Sequence, residues 1–135
     1  MTDEGLVAQK LAFIETCVEQ LRTMARPERI ATDVREERFV EHTLQLAIQA
    51  ALDVASHIVS DARLGEPNTN AELFDLLRRA GWIDEAHCAT LRKMAGFRNL
   101  LAYGYMAVDL GIVRSVVERN LDDLLAFATA IRTKL

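Results

Sequence analysis

No glycine or proline interrupts the chain between Pro27 and Gly65, and that stretch carries its apolar residues at helical spacing. Val40, Leu44, Ala47, Ile48, Ala51, Leu52, Ala55, Ile58 and Val59 recur every three or four positions. Such spacing draws one continuous stripe along a helix and fits no strand. It predicts a long helix over about residues 33–62. One apolar face of that length has to be covered by other helices, and the alanines within it let a neighbour approach closely. Gly65 followed by Glu66-Pro67-Asn68 ends the helix.

The rest of the sequence supplies the cover. Val7, Leu11, Ile14, Val18 and Leu21 mark a first helix, which Thr2 or Asp3 can cap. Pro27 marks its exit, and residues 26–35 read as a polar connection. Thr69 followed by Glu72 has the form of a capping box opening a short third helix through Leu73, Phe74 and Leu77. Gly81 closes it, and Trp82 and Ile83 plug the bundle end. Asp84 caps a fourth helix that turns Cys88, Leu91, Met94 and Phe97 inward and stops at Gly104. Asp109 caps a fifth, with Ile112, Val113, Val116, Val117, Leu121, Leu124, Leu125, Phe127, Ala128 and Ile131 as its apolar positions. No stretch alternates as a strand does. The expected fold is all-α, a five-helix, up-and-down-like bundle forming one domain over residues 1–135.

Several function classes are disfavoured. A net charge of −4 argues against a protein that coats nucleic acid, yet leaves room for a local basic site. Arg92, Lys93 and Arg98 lie close together in the chain, with Arg78 and Arg79 upstream. No apolar run approaches a membrane span and no basic-then-apolar leader opens the chain, so a cytoplasmic protein without membrane contact is expected. Cys17 and Cys88 have no close cysteine partner and read as buried, reduced thiols. Asp53 and His57 share a helix face and could bond to each other. The Asp84-Glu85-Ala86-His87 run has a carboxylate-to-histidine spacing known from di-iron bundles, but no second copy exists. His42, beside Glu41, reads as a surface or interface residue. Phosphate loops, serine elbows and zinc-protease motifs are missing, so neither a metal nor a cofactor is expected.

What remains is Gly96-Phe97-Arg98-Asn99-Leu100-Leu101-Ala102-Tyr103-Gly104-Tyr105. A plain core helix does not need an arginine beside an asparagine, nor two tyrosines astride a glycine. Positions five apart stand about 140° round a helix and about 7.5 Å along it. One copy should not aim the side chains of Arg98 and Tyr103 squarely into one pocket, whereas two copies about a twofold axis could build a shared groove. A purely structural role, with the polar pair making capping contacts and the tyrosines packing the bundle end, stays open on spacing alone.

Arg98-Asn99-Leu100-Leu101-Ala102-Tyr103-Gly104-Tyr105 resembles the Arg-Asn-x-x-x-His-x-Tyr motif of HepT-like toxins in the HEPN superfamily. Glu41 through Ile48, Ala50 through Ile58, Leu64-Gly65-Glu66-Pro67, Met94-Ala95-Gly96-Phe97 and Val108-Asp109 are similar to that family as well, so the likeness spans most of residues 38–125. The resemblance implies a homodimeric, metal-independent ribonuclease, the toxin of a type VII toxin–antitoxin pair. It implies as partner a minimal nucleotidyltransferase antitoxin of the MntA type, which silences the toxin by transferring AMP to Tyr105. Arg98 and Asn99 would handle the phosphate, and position 103 would move a proton.

At that last position the chain departs from the family, with Tyr103 where the motif has histidine. Imidazoles titrate at about pH 6.5 and phenols at about pH 10, so a phenol is a poor general base at neutral pH. Strongly reduced or absent cleavage is therefore expected. The alternative is a non-catalytic helical dimer that binds and regulates a nucleotidyltransferase, and a helical scaffold without nucleic-acid contact is a third reading.

Overall fold

The computed structural model describes residues 3–103 and 108–135. Among them it has α1 (Glu4–Met24), a 3-10 turn at Pro27–Arg29, α2 (Val34–Asp61), α3 (Asn70–Arg79), α4 (Glu85–Tyr103), α5 (Leu110–Arg119) and α6 (Leu121–Lys134), and no strand. α2 is the spine. α1 runs along it, α6 lies against both, and the α3–α4 pair packs on another side.

All nine apolar positions of the α2 stripe are buried, and Thr43, Ala50 and Val54 join them. Helices press on α2 from more than one direction, which widens the stripe in its middle. Thr43 enters because its hydroxyl donates to the Phe39 carbonyl at 2.7 Å, so no polar group is left bare. α1 buries Val7, Leu11, Ile14, Val18 and Leu21 as its spacing predicts, along with Cys17. Its cap is Asp3, whose carboxylate accepts from the Leu6 N–H, while Thr2 lies outside the described residues. Phe74 of α3 meets Phe127 of α6 edge to face, with ring centroids 5.9 Å apart. Cys17 and Cys88 are both buried free thiols, and burial pushes both above the usual thiol range. Among the described residues no helix is long and apolar enough to cross a membrane.

The expected fifth helix is two, which makes six α-helices among the described residues. α5 ends and α6 begins at Asn120, whose side-chain amide donates to Asp123 at 3.2 Å. An amide that bonds locally competes with the helical ladder. The apolar period hides the break, because Val113, Val117, Leu121, Leu124, Ala128 and Ile131 keep helical spacing across it and are all buried.

The exit from α2 also differs from expectation. The helix stops at Asp61, and Arg63 takes the left-handed helix-ending position, with φ of 55°, two residues ahead of Gly65, which is itself at a positive φ of 138°. The Leu64 N–H reaches back to the Val59 carbonyl and that of Arg63 to Ser60, a Schellman ending. α3 ends the same way, with Trp82 bonded to Leu77 and Gly81 to Arg78, but there glycine holds the left-handed site at φ of 83°. Thr69 and Glu72 do open α3, although the Glu72 carboxylate reaches the Asn68 N–H rather than that of Thr69.

A side chain in the left-handed region is disfavoured by about 1–2 kcal/mol, partly offset in a glycine variant by its freer unfolded chain. Arg63→Gly should therefore stabilise the protein by about 0.5–1 kcal/mol, a rise in Tm of about 2–4 °C. Thermal unfolding followed by circular dichroism checks it, and an unchanged or lower Tm would contradict the strain assigned to Arg63.

Candidate functional site

α4 divides sharply along its length. Cys88, Leu91, Met94, Ala95 and Phe97 bury one face in the core, and the polar motif begins at the next residue. Arg98 is half-buried, Asn99 is exposed, and Tyr103 is 73% exposed at the last described residue of the helix. Gly104 and Tyr105 lie outside the described residues.

Arg98 and Tyr103 come into contact within one chain despite their angular separation. The guanidinium carbon lies 5.8 Å from the centre of the Tyr103 ring. Arginine's length makes the difference, since its charged end can travel more than a turn from its own Cα. The guanidinium also donates from Nη1 to the Asn99 side-chain oxygen at 3.3 Å, so the asparagine steers the arginine. The Nε of Arg98 is buried without a hydrogen-bond partner among the described residues. A charged donor held out of water and left unpaired is destabilising until an acceptor completes it, and an anionic oxygen is the acceptor that does so best.

The other cations near the motif differ in how they are engaged. Arg92 forms an ion pair with Asp75 on α3, whereas Lys93 stays exposed. Lys93 stands at the edge of a small apolar groove between α4 and α5, lined by Met94, Phe97, Ile112 and Val116.

Beside the motif opens a cleft of about 770 Å³ that the sequence does not announce. One wall is the first half of α2, with Val34, Glu37, Arg38, Glu41, His42 and Gln45, and the other is Leu101 of α4 with Val108. Burial and the Glu37 carboxylate one turn earlier push the Glu41 carboxyl above the usual glutamate range, against the pull of Arg38. His42, expected at a surface or interface, is exposed and lines this cleft. Residues 37 and 101 are far apart in sequence, so only the helical period of α2 hinted that 34, 38, 41 and 45 share a face.

The other histidines are structural. Asp53 and His57 do not pair as their spacing allows. Asp53 accepts from Lys10 at 3.1 Å and Gln49 at 2.8 Å, and His57 Nε2 accepts the Asp3 N–H at 3.0 Å. Asp84 caps α4 by accepting the His87 N–H at 2.7 Å, and the His87 ring donates to the Asp123 carbonyl at 3.2 Å. Among the described residues no group of three histidine, cysteine or carboxylate side chains is placed to hold a metal ion.

Comparison with known proteins agrees with this anatomy. The family model described as ribonuclease HepT-like matches residues 14–131. The chain is 28% identical to the mRNA nuclease HepT of Shewanella oneidensis, over 96% of this chain and 98% of that protein. It is 34% identical to a putative RNase of Archaeoglobus fulgidus, over 93% of this chain and 92% of the other. Among solved structures it superposes with a TM-score of 0.88 on a tri-AMPylated Shewanella oneidensis HEPN toxin in complex with MNT antitoxin, at 28% identity and covering 98% of this chain and 99% of that one.

Glu37 and Glu41 are like charges one helical turn apart, an arrangement that destabilises by about 0.2–0.5 kcal/mol. Because folding raises the Glu41 pKa, the native state keeps a proton that the unfolded state loses, and stability falls as pH rises through the window between the ordinary and raised values. Glu41→Gln should therefore stabilise the protein by about 0.2–0.5 kcal/mol at neutral pH, and the gain should vanish below the ordinary glutamate range. Urea unfolding at several pH values tests this. A variant that is less stable at neutral pH would overturn it.

Proposed function

This chain belongs to the ribonuclease HepT-like family, and on that premise we propose that it is the toxin of a toxin–antitoxin pair, an endoribonuclease held in check by a nucleotidyltransferase. The observation that carries the reading is the half-buried Arg98 guanidinium, steered by Asn99, with a donor that has no partner among the described residues, in a motif at the end of α4. It works as one HEPN-like domain over residues 1–135, in the cytoplasm, as a twofold homodimer whose two motifs share a groove. The Shewanella neighbour, a HEPN toxin in complex with MNT antitoxin, supports an MntA-like partner for this chain.

Cleavage needs no metal. The ribose 2′-oxygen attacks the adjacent phosphorus as its proton leaves, and the bond to the 5′-oxygen breaks to leave a cyclic phosphate and a new 5′-hydroxyl. Negative charge accumulates on the phosphorane, which the permanently charged fork of Arg98 stabilises. Asn99 holds that fork in place. Tyr103 stands where the 2′-hydroxyl proton should be taken and is poorly suited to take it, since general acid–base help is worth about 10²–10⁴-fold and a phenol forfeits most of it. Silencing uses the second tyrosine: the Tyr105 phenolic oxygen attacks the α-phosphorus of ATP on the partner, and pyrophosphate leaves. The neighbour's tri-AMPylated state supports this step.

Tyr103 also favours a second reading, in which the chain is a non-catalytic dimer that binds and regulates its nucleotidyltransferase. Two measurements separate them. In an RNA cleavage assay Tyr103→His should raise the rate by about 10²–10⁴-fold, and Arg98→Ala in that background should abolish it. No gain from the histidine variant would remove the ribonuclease assignment and leave the docking one. After incubation with partner and ATP, fragment-ion mass spectrometry should place AMP on Tyr105, and unmodified Tyr105 would end the silencing scheme.

A further inference from the structure

The cleft between α2 and Leu101 has no role in the chemistry above. We propose that it is the nucleoside subsite of the RNA groove, seating the ribose and base next to the phosphate held by Arg98, with Glu41 accepting hydrogen bonds from them. The inference rests on the ribonuclease reading and adds to it where the strand lies and what it is read by.

Position comes first. Leu101 lies three residues beyond Arg98, about 4.5 Å further along α4 and on a neighbouring part of its surface. A strand whose phosphate meets Arg98 and that continues along α4 therefore passes the cleft that Leu101 lines. Size agrees, since about 770 Å³ lies within the range of roughly 300–1,000 Å³ typical of small-ligand sites.

Chemistry then selects the occupant. Two carboxylates, an amide and an imidazole face one arginine, so the lining carries no excess positive charge to draw in a bare phosphate. It is instead rich in hydrogen-bond acceptors, with Val34, Leu101 and Val108 as apolar surface for a flat ring. Carboxylates accept from ribose hydroxyls and from exocyclic amino groups, as Glu does from cytosine N4. Adenine and cytosine present such an amino group, whereas uracil presents one N–H between two carbonyls, which carboxylates repel. Glu41 is also kept at a cost to stability, desolvated and one turn from Glu37, and strained electrostatics in a cleft mark a working site more often than a structural one.

The test is fluorescence anisotropy with labelled ten-nucleotide strands of adenylate, cytidylate or uridylate, using the chain as it stands because Tyr103 slows cleavage. The A and C strands should bind more tightly than U. Glu41→Gln should weaken A and C by about tenfold and U little, flattening the preference. Arg98→Ala should weaken all three alike. Unfolding curves for each variant separate a lost contact from a lost fold, and Glu37→Gln supplies a second probe of the same wall. If both cleft variants bind every strand as the parent does while Arg98→Ala does not, the subsite is overturned and the ribonuclease reading stands. If the parent binds no strand, that reading falls and the subsite with it. With free AMP titrated alongside, a tenfold loss in Glu41→Gln confined to AMP, with strands unaffected, would give the cleft to an isolated adenylyl group and overturn its assignment to RNA.

Discussion

Everything in this molecule depends on the burial of α2. From Val40 to Val59 it is the surface on which the other helices settle, and Leu44, Ala47, Ala55 and Ile58 lose all contact with solvent. Each buried aliphatic side chain contributes about 1.5–3 kcal/mol relative to exposure, so the second half of this helix anchors the bundle. Its first half is different. Before Thr43 only Val40 is buried, and Glu37, Arg38, Glu41 and His42 remain polar and at least partly accessible. One rigid rod is thus core at one end and cleft wall at the other. Rigidity suits the recognition surface proposed for it, because its groups are then held in place before a ligand arrives.

α4 repeats that division in the opposite direction. Its first four turns are anchored by Cys88, Leu91, Met94 and Phe97, and its last turn and a half carries the motif. The changeover falls between Phe97 and Arg98, adjacent residues on different faces of the helix. Phe97 fixes the azimuth of the helix and thereby that of Arg98. A guanidinium with one buried donor that has no partner among the described residues is tolerable only on such a support, since relaxation of the backbone would let water reach it.

Much of this was legible in sequence because it rests on period. The α2 stripe, the Asp3, Asp84 and Asp109 caps, and the inward faces of α1, α3 and α4 all follow from residues within one or two turns of each other. What escaped depends on choices that period does not encode. Asn120 breaks a helix without disturbing its apolar phase, and Arg63 takes the left-handed helix-ending position two residues before Gly65, which is at positive φ as well. Asp53 and His57 have the right spacing to pair, yet each finds a partner on or just before α1. The cleft is the largest omission. Its walls come from distant segments, and no local pattern states that Glu41 will face Leu101. The motif itself was visible because its residue types are wasteful in a core.

The contact between Arg98 and Tyr103 bears on how the substitution at 103 acts. A ring beside the guanidinium could impair the site in two ways, by withholding a base or by occupying the cation. Magnitudes decide between them. A cation–π contact at an exposed site is worth about 0.5–1 kcal/mol, whereas hydrogen bonds to charged groups contribute about 1.5–3 kcal/mol each. Tyr103 is largely exposed and its ring 5.8 Å away, which places the contact at the weak end. A phosphate offering two oxygens to the arginine fork displaces such a ring readily. On the proposed ribonuclease reading the arginine is therefore free to take a phosphate, and what position 103 withholds is the transfer of the proton. On that reading binding and catalysis come apart at a single residue, and the chain would hold an RNA strand that it is poorly equipped to cut.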